Sequence, residues 1–461
     1  MTQAVAKERG KTGNHLTEGI IWKALIMFAV PIILTSVIQQ LYSMVDLIII
    51  GKFVGNIGTV GVSIGGELSD FMTPVAMALA TAGQIFIAQL VGAQKEKEVK
   101  ETVGTLLSMS FLASIILAVG CILFCDPFLH LMNCPEEAIE QARGYLIVTS
   151  LGFPFIFGYN AVCGILRGMG EAKRPLIFII VAAVINIIAD VVLVAIIPLE
   201  AIGTAIATVA SQIGCFTAAF IYMYRNREKF DFEVRLSYFR IDGKIAKTII
   251  YLAVPQLCRT MLVRFSMMYV NASCNDYGLV FSATNSIGNK IQKFLEVFLQ
   301  GMDSASATMI GQNLGAQKQE RASKTVWCTL SIGLIIAAVA AGISWFFPRQ
   351  LFSIFSSDEA VMEMGIVFLH IMCIHYFCSA FVGAFQSMVT GCGFVELGFA
   401  IGVLDGVICK IGFSLLFLYV GGIGQTSFWW GTAVSRFLPG CLCLWYFLSG
   451  KWKKRKLLSD R

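Results

Sequence analysis

Apolar residues run along this chain in long continuous blocks separated by short polar breaks, without the period-two alternation of barrel strands. A hydrocarbon core about 30 Å thick requires about 20 such residues from each crossing helix. Reading the blocks between breaks predicts twelve transmembrane helices, at 22–51, 59–91, 102–124, 142–165, 175–198, 201–224, 247–273, 279–311, 325–347, 363–389, 396–420 and 424–449. The second and eighth are longer than a bilayer needs and are expected to tilt, bend or protrude.

The pattern repeats. IAQLVGAQKEKEVKETV at 87–103 returns as IGQNLGAQKQERASKTV at 310–326, an offset of 223. The same offset aligns VSIGG at 62–66 with NSIGN at 285–289, and RGMG at 167–170 with TGCG at 390–393. FAVP at 28–31 matches LAVP at 252–255 at an offset of 224. Six helices per half keep both halves in one orientation, which implies a parallel repeat about an axis along the membrane normal. The predicted fold is an all-α membrane protein, two pseudo-symmetric six-helix bundles around a central cavity. Its parts are a tail at 1–21, a first lobe at 22–224, a linker at 225–246, a second lobe at 247–449 and a basic tail at 450–461. Parallel halves of this kind rock about a central site and give alternating access.

Composition sharpens the picture. Of 461 residues 57% are hydrophobic and only 14% charged, where a soluble domain carries about a quarter charged. Mean hydropathy is +0.75. Lys and Arg concentrate in alternate connections: the N-terminal tail, 92–101, 166–174, the linker at 225–247, 312–324 and the tail KWKKRK. The opposite connections carry Asp126, Glu136, Glu137, Glu200, Asp358 and Glu359 instead, with few bases. The positive-inside rule then places both termini in the cytoplasm of a multi-pass plasma-membrane protein. The net charge of +6 follows from this arrangement and does not imply nucleic acid. The polar N-terminus has no signal-peptide pattern. The fourteen cysteines lie mostly in apolar runs, where they act as small hydrophobes, and no zinc spacing appears.

Ionisable residues inside a span cost about 2.5–3.5 kcal/mol on insertion scales, so each suggests function. Asp46 lies late in the first helix and Asp190 late in the fifth, both running outward; Thr208 lies about two turns below the outer end of the sixth. The three share a depth. Asn186 and Asp190 are spaced i,i+4 and Gln39, Tyr42 and Asp46 are spaced i,i+3,i+7, so each set shares a helix face. Two carboxylates, an amide oxygen and a hydroxyl at one level form a hard oxygen site. It suits Na⁺, or a proton where burial and like charge favour one carboxyl's neutral form. The equivalents of Asp46, Asn186 and Asp190 in the second half are Val270, Cys409 and Phe413, so the oxygen site is one-lobed.

Several motifs carry a resemblance. Pro31 followed by QQLYSMVD ending at Asp46, the paired GAQK loops, RGMGEAKRP at 167–175, NIIAD at 186–190 and GTAIATVASQ at 203–212 resemble the MATE (multidrug and toxic compound extrusion) transporters. The likeness runs from about residue 20 to 449. It implies an antiporter that moves Na⁺ or H⁺ inward as a small organic substrate, often a cationic amphiphile, moves outward. It also implies that Asp46, Asn186, Asp190 and Thr208 form a cation site in the first lobe. Relatives whose cation site uses an acid in helix 10 are not matched, because 363–389 contains only Glu363, at its edge.

The second lobe instead carries bases: Arg259 and Arg264 in helix 7, Lys290 and Lys293 in helix 8, and Lys410 in helix 11, with Asp405 and Glu296 as available partners. The offset of 223 maps Glu67 and Asp70 onto Lys290 and Lys293, which suggests an extracellular gate closed by their attraction. The basic second lobe also admits a lipid-linked precursor flippase of the same wider superfamily as the alternative function. The GAQK loops read as caps on the cytoplasmic helix ends. No GxxxxGK[ST], HExxH or GxSxG occurs, so neither ATP hydrolysis nor another enzymatic activity is expected. No cofactor is expected beyond the coupling ion, and no oligomer is required. The expected partners are membrane lipid and a small, amphiphilic organic substrate.

Overall fold

In the computed structural model residues 16–227 and 239–460 are described, with the side chains of residues 47, 56 and 70 left aside. Among the described residues there is no strand. A chain in lipid must satisfy its backbone polar groups internally, and the helix does this within each segment. The first half comprises α1 (Ile21–Phe53), α2 (Gly55–Gly92), α3 (Glu96–Leu123), α4 (Cys125–Leu131), α5 (Glu136–Leu151), α6 (Phe153–Gly168), α7 (Lys173–Asp190) and α8 (Glu200–Arg225). A π-helical turn, Val191–Ile196, extends α7. The second comprises α9 (Gly243–Asn275), α10 (Leu279–Gly315), α11 (Gln319–Phe346), α12 (Pro348–Ser353), α13 (Glu359–Gly391), α14 (Val395–Val403), α15 (Lys410–Tyr419), α16 (Ser427–Val434) and α17 (Phe437–Leu448). A π segment, Leu404–Cys409, joins α14 to α15.

Eight of these helices, with α7 counted through its π turn and α14 through α15 as one, are long and apolar enough to cross a membrane. The pair α5 and α6, bent by 44°, makes a ninth among the described residues. The remaining three of the twelve predicted spans are α9, α10 and the pair α16 and α17. Each carries charge or a break: Arg259 and Arg264 in α9, Lys290, Lys293, Glu296 and Asp303 in α10, and Arg436 between α16 and α17. Polarity in the second half is thus concentrated in the helices that depart most from a plain apolar span. Phe111, Ile116, Ile188, Ile335 and Val339 are exposed, which lipid accepts and water would penalise.

The duplication reappears in backbone geometry. Gln94 and Gln317, equivalent in the repeat, both have φ of 58°. After α2, Ala93, Gln94 and Lys95 donate to Gln89, Val91 and Leu90 at 2.9, 3.1 and 3.0 Å; after α10, Ala316, Gln317 and Lys318 donate to Gln312, Leu314 and Asn313 at 2.9, 3.0 and 2.8 Å. Both satisfy orphan carbonyls at a helix end with one left-handed residue. Gly170 and Gly393, also equivalent, end α6 and α13 at φ of 85° and 63°.

Among the described residues two compact units result, one of 34–227 with 239–253, the other of 16–33 with 254–460. The divisions fall inside α1 and α9, beside the equivalent prolines Pro31 and Pro255. In the first unit, α2, α6 and α8 pack where small residues let backbones approach: a Cβ on Gly164 would lie 2.4 Å from the Ala80 carbonyl oxygen. In the second, Phe281 stacks on Trp429 at 4.3 Å between ring centres, and Phe368 meets the same indole edge-on.

Candidate cation and substrate site

The first unit brings Asp46 and Asp190 together. The end of α1 packs through Ile49, Ile50 and Val54 onto Val194 of the π turn. That contact sets the depth at which Asp46 meets the last residue of α7. Asp190 is fully buried and Asn186, one turn earlier on the same face, is 2% exposed. The two carboxyl groups lie within interaction range of each other. Asp46 Oδ1, Asn186 Oδ1 and both oxygens of Asp190 are buried without a hydrogen-bond partner. Tyr42 stands one turn before Asp46, its phenol near that carboxyl and the Cys215 thiol of α8. Cys215 is held in turn on the Phe178 carbonyl at 3.3 Å.

Four buried oxygen atoms with no donor are costly, since a buried acceptor left unpaired loses its hydration for nothing. Two carboxylates side by side add repulsion unless a cation lies between them or they share a proton. The donor set (carboxylate and amide oxygens, with no sulfur or imidazole) suits a hard cation such as Na⁺. No cluster of three or more His, Cys, Asp or Glu residues able to hold a metal occurs among the described residues.

The other sequence candidates divide. Gln39 is half-buried on α1, and Thr208 is half-buried on α8, where its carbonyl accepts the Ser211 hydroxyl at 2.7 Å. Glu67 is exposed on α2, and Lys290 and Lys293 are exposed on α10; the Asp70 side chain lies outside the described residues. In the second unit Arg264 is exposed, whereas Arg259 donates to Gln386 Oε1 at 3.1 Å. Asp405 and Lys410 are each 4% exposed.

Sequence reasoning missed the hub of that second cluster. Arg436 pairs with Glu296, donates to Ser379 Oγ at 2.9 Å and lies 3.8 Å from Asp405. His375 stands 3.7 Å from the other Glu296 oxygen and meets the Thr432 carbonyl at 3.2 Å. Asp405 also accepts from Ser435 at 3.4 Å. The signal was present: Arg436 is the only charged residue between 424 and 449. Asp303, likewise unremarked, packs its carboxyl against Gly383, whose missing side chain makes the space.

Comparison with known proteins agrees with this architecture. Probable multidrug resistance protein YoeA of Bacillus subtilis is 27% identical over 350 residues, covering 75% of this chain and 76% of that protein. Multidrug export protein MepA of Staphylococcus saprophyticus is 22% identical, covering 91% and 92% respectively. Among solved structures, MATE in complex with MaD3S superposes with a TM-score of 0.90 at 20% identity, covering 96% of this chain and 99% of that one. The family model MatE matches twice, at residues 31–192 and 255–416, one match for each half of the internal repeat. With both repeats accounted for by one model, the chain belongs to the MatE family.

Proposed function

We propose that this chain is a secondary multidrug exporter that exchanges Na⁺ or H⁺ for small organic molecules by alternating access, in the plasma membrane with both termini cytoplasmic. The observation that carries the reading is the pair Asp46 and Asp190: Asp190 is fully buried with Asn186, Asp46 is half-buried, and Asp46 Oδ1 and both Asp190 oxygens have no hydrogen-bond donor. Such a pair is stable when it holds a cation and strained when it does not. An inward ion gradient therefore biases the lobe that contains it, and that bias is what an antiporter converts into efflux. The names of the relatives, a multidrug resistance protein and a multidrug export protein, support small organic molecules as the cargo. In this reading residues 22–224 and 247–449 act as the two lobes, joined by the linker at 225–246.

Efflux of ethidium from proteoliposomes under an imposed Na⁺ or H⁺ gradient tests the reading. Wild type is expected to move the dye with one gradient, and Asp190→Asn to lose that dependence. Gradient-driven efflux that survives Asp190→Asn would refute coupling at this pair. The pseudo-symmetry of Glu67 and Asp70 with Lys290 and Lys293 adds a gate to the proposal. Glu67→Lys is expected to cripple efflux and Lys290→Glu to restore part of it in the double variant; no rescue would remove the gate. The flippase alternative drew on free bases in the second half. Glu296 and Asp405 are engaged by Arg436 and Arg259 meets only the neutral amide of Gln386, so these contacts do not neutralise Arg259 and the second reading keeps its basis.

A further inference from the structure

The two GAQK loops share a backbone and differ in charge. Gln94 and Gln317 both stand at φ of 58° between matching helix ends. In the first copy the bases Lys95, Lys97 and Lys100 alternate with the acids Glu96, Glu98 and Glu101 and cancel them. Lys95 pairs with Glu98 at 3.2 Å and Lys97 with Glu101 at 3.9 Å. In the second copy Arg321 stands where the first has Glu98, and Lys324 where it has Glu101. Lys318, Arg321 and Lys324 there face one acid, Glu320. The turn folds alike with either set of charges, so the reversal has its reason outside the fold.

The reversed charges line a groove. Lys318, Arg321 and Lys324, with Gln317, Gln319 and Glu320, border about 520 Å³ of open space, within the size range of small-ligand sites. Lys318 donates to the Thr17 carbonyl at 3.0 Å, and Arg321 to the carbonyls of Leu16, Glu18 and Gly19. A carbonyl takes a hydrogen bond without cancelling the charge, and each of the two side chains keeps further N–H groups. Among the described residues neither has a carboxylate within 4.0 Å, and Glu18 acts on Arg321 from farther away. Glu320 pairs with Lys324 at 2.6 Å, both side chains well exposed, where such a pair is worth little.

The C-terminal tail enlarges the patch. Gln319 donates to the Lys453 carbonyl at 2.9 Å, and Trp452 is buried in one cluster with Ala322 and Val326 of α11. Lys451, Lys453 and Lys454 are exposed, while Arg455 meets Glu396 at 3.4 Å. Trp22, Trp327 and Trp445 are exposed near the corresponding ends of α1, α11 and α17, and Lys451 sits over the Trp445 ring at 5.0 Å. The first copy has Gly104 in the place of Trp327. Exposed indoles mark the boundary between hydrocarbon and water, which sets the groove at headgroup level.

We propose that this groove binds the phosphate of an anionic phospholipid, with Lys318, Arg321 and Lys324 as its counter-charges and the tail lysines beside them. In the orientation proposed above this face meets the cytoplasmic leaflet, whose anionic lipids draw each juxtamembrane base with about fivefold in affinity. The site uses neither Asp46 nor Asp190, so it stands whether or not exchange is ion-coupled.

The full-length protein is reconstituted into phosphatidylcholine vesicles with rising fractions of dibrominated phosphatidylglycerol or dibrominated phosphatidylcholine, and quenching of its tryptophans is read. Both leaflets carry the lipid, so the result does not depend on orientation. Phosphatidylglycerol is expected to reach half-quenching at a mole fraction about fivefold lower than phosphatidylcholine. Lys324→Glu, which places the first copy's residue at an exposed position, is expected to abolish most of that preference, and Lys318→Gln to weaken it. Lys97→Glu, the same charge change in the first loop, is expected to keep it, and Trp327→Phe to lose much of the lipid-specific quenching. Equal curves for the two lipids in wild type would overturn the proposal, as would a preference unchanged in both Lys324→Glu and Lys318→Gln. An equal loss in Lys97→Glu would reduce it to overall charge, and displacement of the lipid by millimolar inorganic phosphate would assign the groove to a soluble anion; either outcome also overturns it.

Discussion

Replacing Arg436 by Gln removes the cation that three elements share. The guanidinium pairs with Glu296 of α10, donates to Ser379 of α13 at 2.9 Å and lies 3.8 Å from Asp405 of the π segment. Glu296 is 5% exposed and would be left with His375 at 3.7 Å, while Asp405 would keep the Ser435 hydroxyl at 3.4 Å. Removing one partner of a buried pair costs about 3–5 kcal/mol, because the remaining charge stays buried and unpaired. Replacing both partners costs far less, since the desolvation of each charge disappears with it. The expectation is therefore asymmetric: Arg436→Gln and Glu296→Gln each destabilise strongly, and the double variant recovers most of the loss. A double-mutant cycle on unfolding midpoints in detergent reads the coupling directly, expected at about 2 kcal/mol or more. Single losses that simply add in the double variant would refute the pairing and reduce Arg436 to a packing residue.

Two further outcomes follow from close contacts. Gly383→Ala would set a Cβ 2.2 Å from the Asp303 carboxyl, an overpacking worth about 1–3 kcal/mol; adding Asp303→Ala should relieve it, and a midpoint that falls further in the double variant would contradict the contact. Arg321, just after the second GAQK loop, donates to the carbonyls of Leu16, Glu18 and Gly19 at 3.4, 2.6 and 2.7 Å, so it pins the approach to α1. Arg321→Ala should accelerate amide hydrogen exchange at the start of α1 by at least several-fold, and Arg321→Lys should protect only partly, because an ammonium lacks the fork that reaches several carbonyls. Unchanged exchange in Arg321→Ala would show that the segment is held elsewhere.

The parts of this protein that were legible in its sequence are those in which one residue type has one physical consequence in lipid. Apolar blocks of bilayer length specify helices because no other segment closes its own backbone hydrogen bonds there. The offset between the GAQK loops was legible because a left-handed turn after a helix tolerates few residue patterns, and both copies adopt the same φ. Asp46 and Asp190 stood out because a carboxylate in a span is rare, and their shared depth follows from rise per residue alone. The cluster around Arg436 was only half legible. Its members sit on α10, α13, the π segment and the break before α17, and no periodicity within one helix relates residues on four. Hydropathy hid Arg436 inside a block of aromatic and aliphatic residues, and nothing in the local sequence of Gly383 ties it to Asp303 on another helix. In the second unit a buried charge finds its partner through tertiary packing, so composition announces the bases and geometry alone decides which of them are neutralised. By that criterion Arg436 differs from Arg259. Glu296 meets the Arg436 guanidinium, whereas Arg259 reaches only the neutral amide of Gln386 at 3.1 Å.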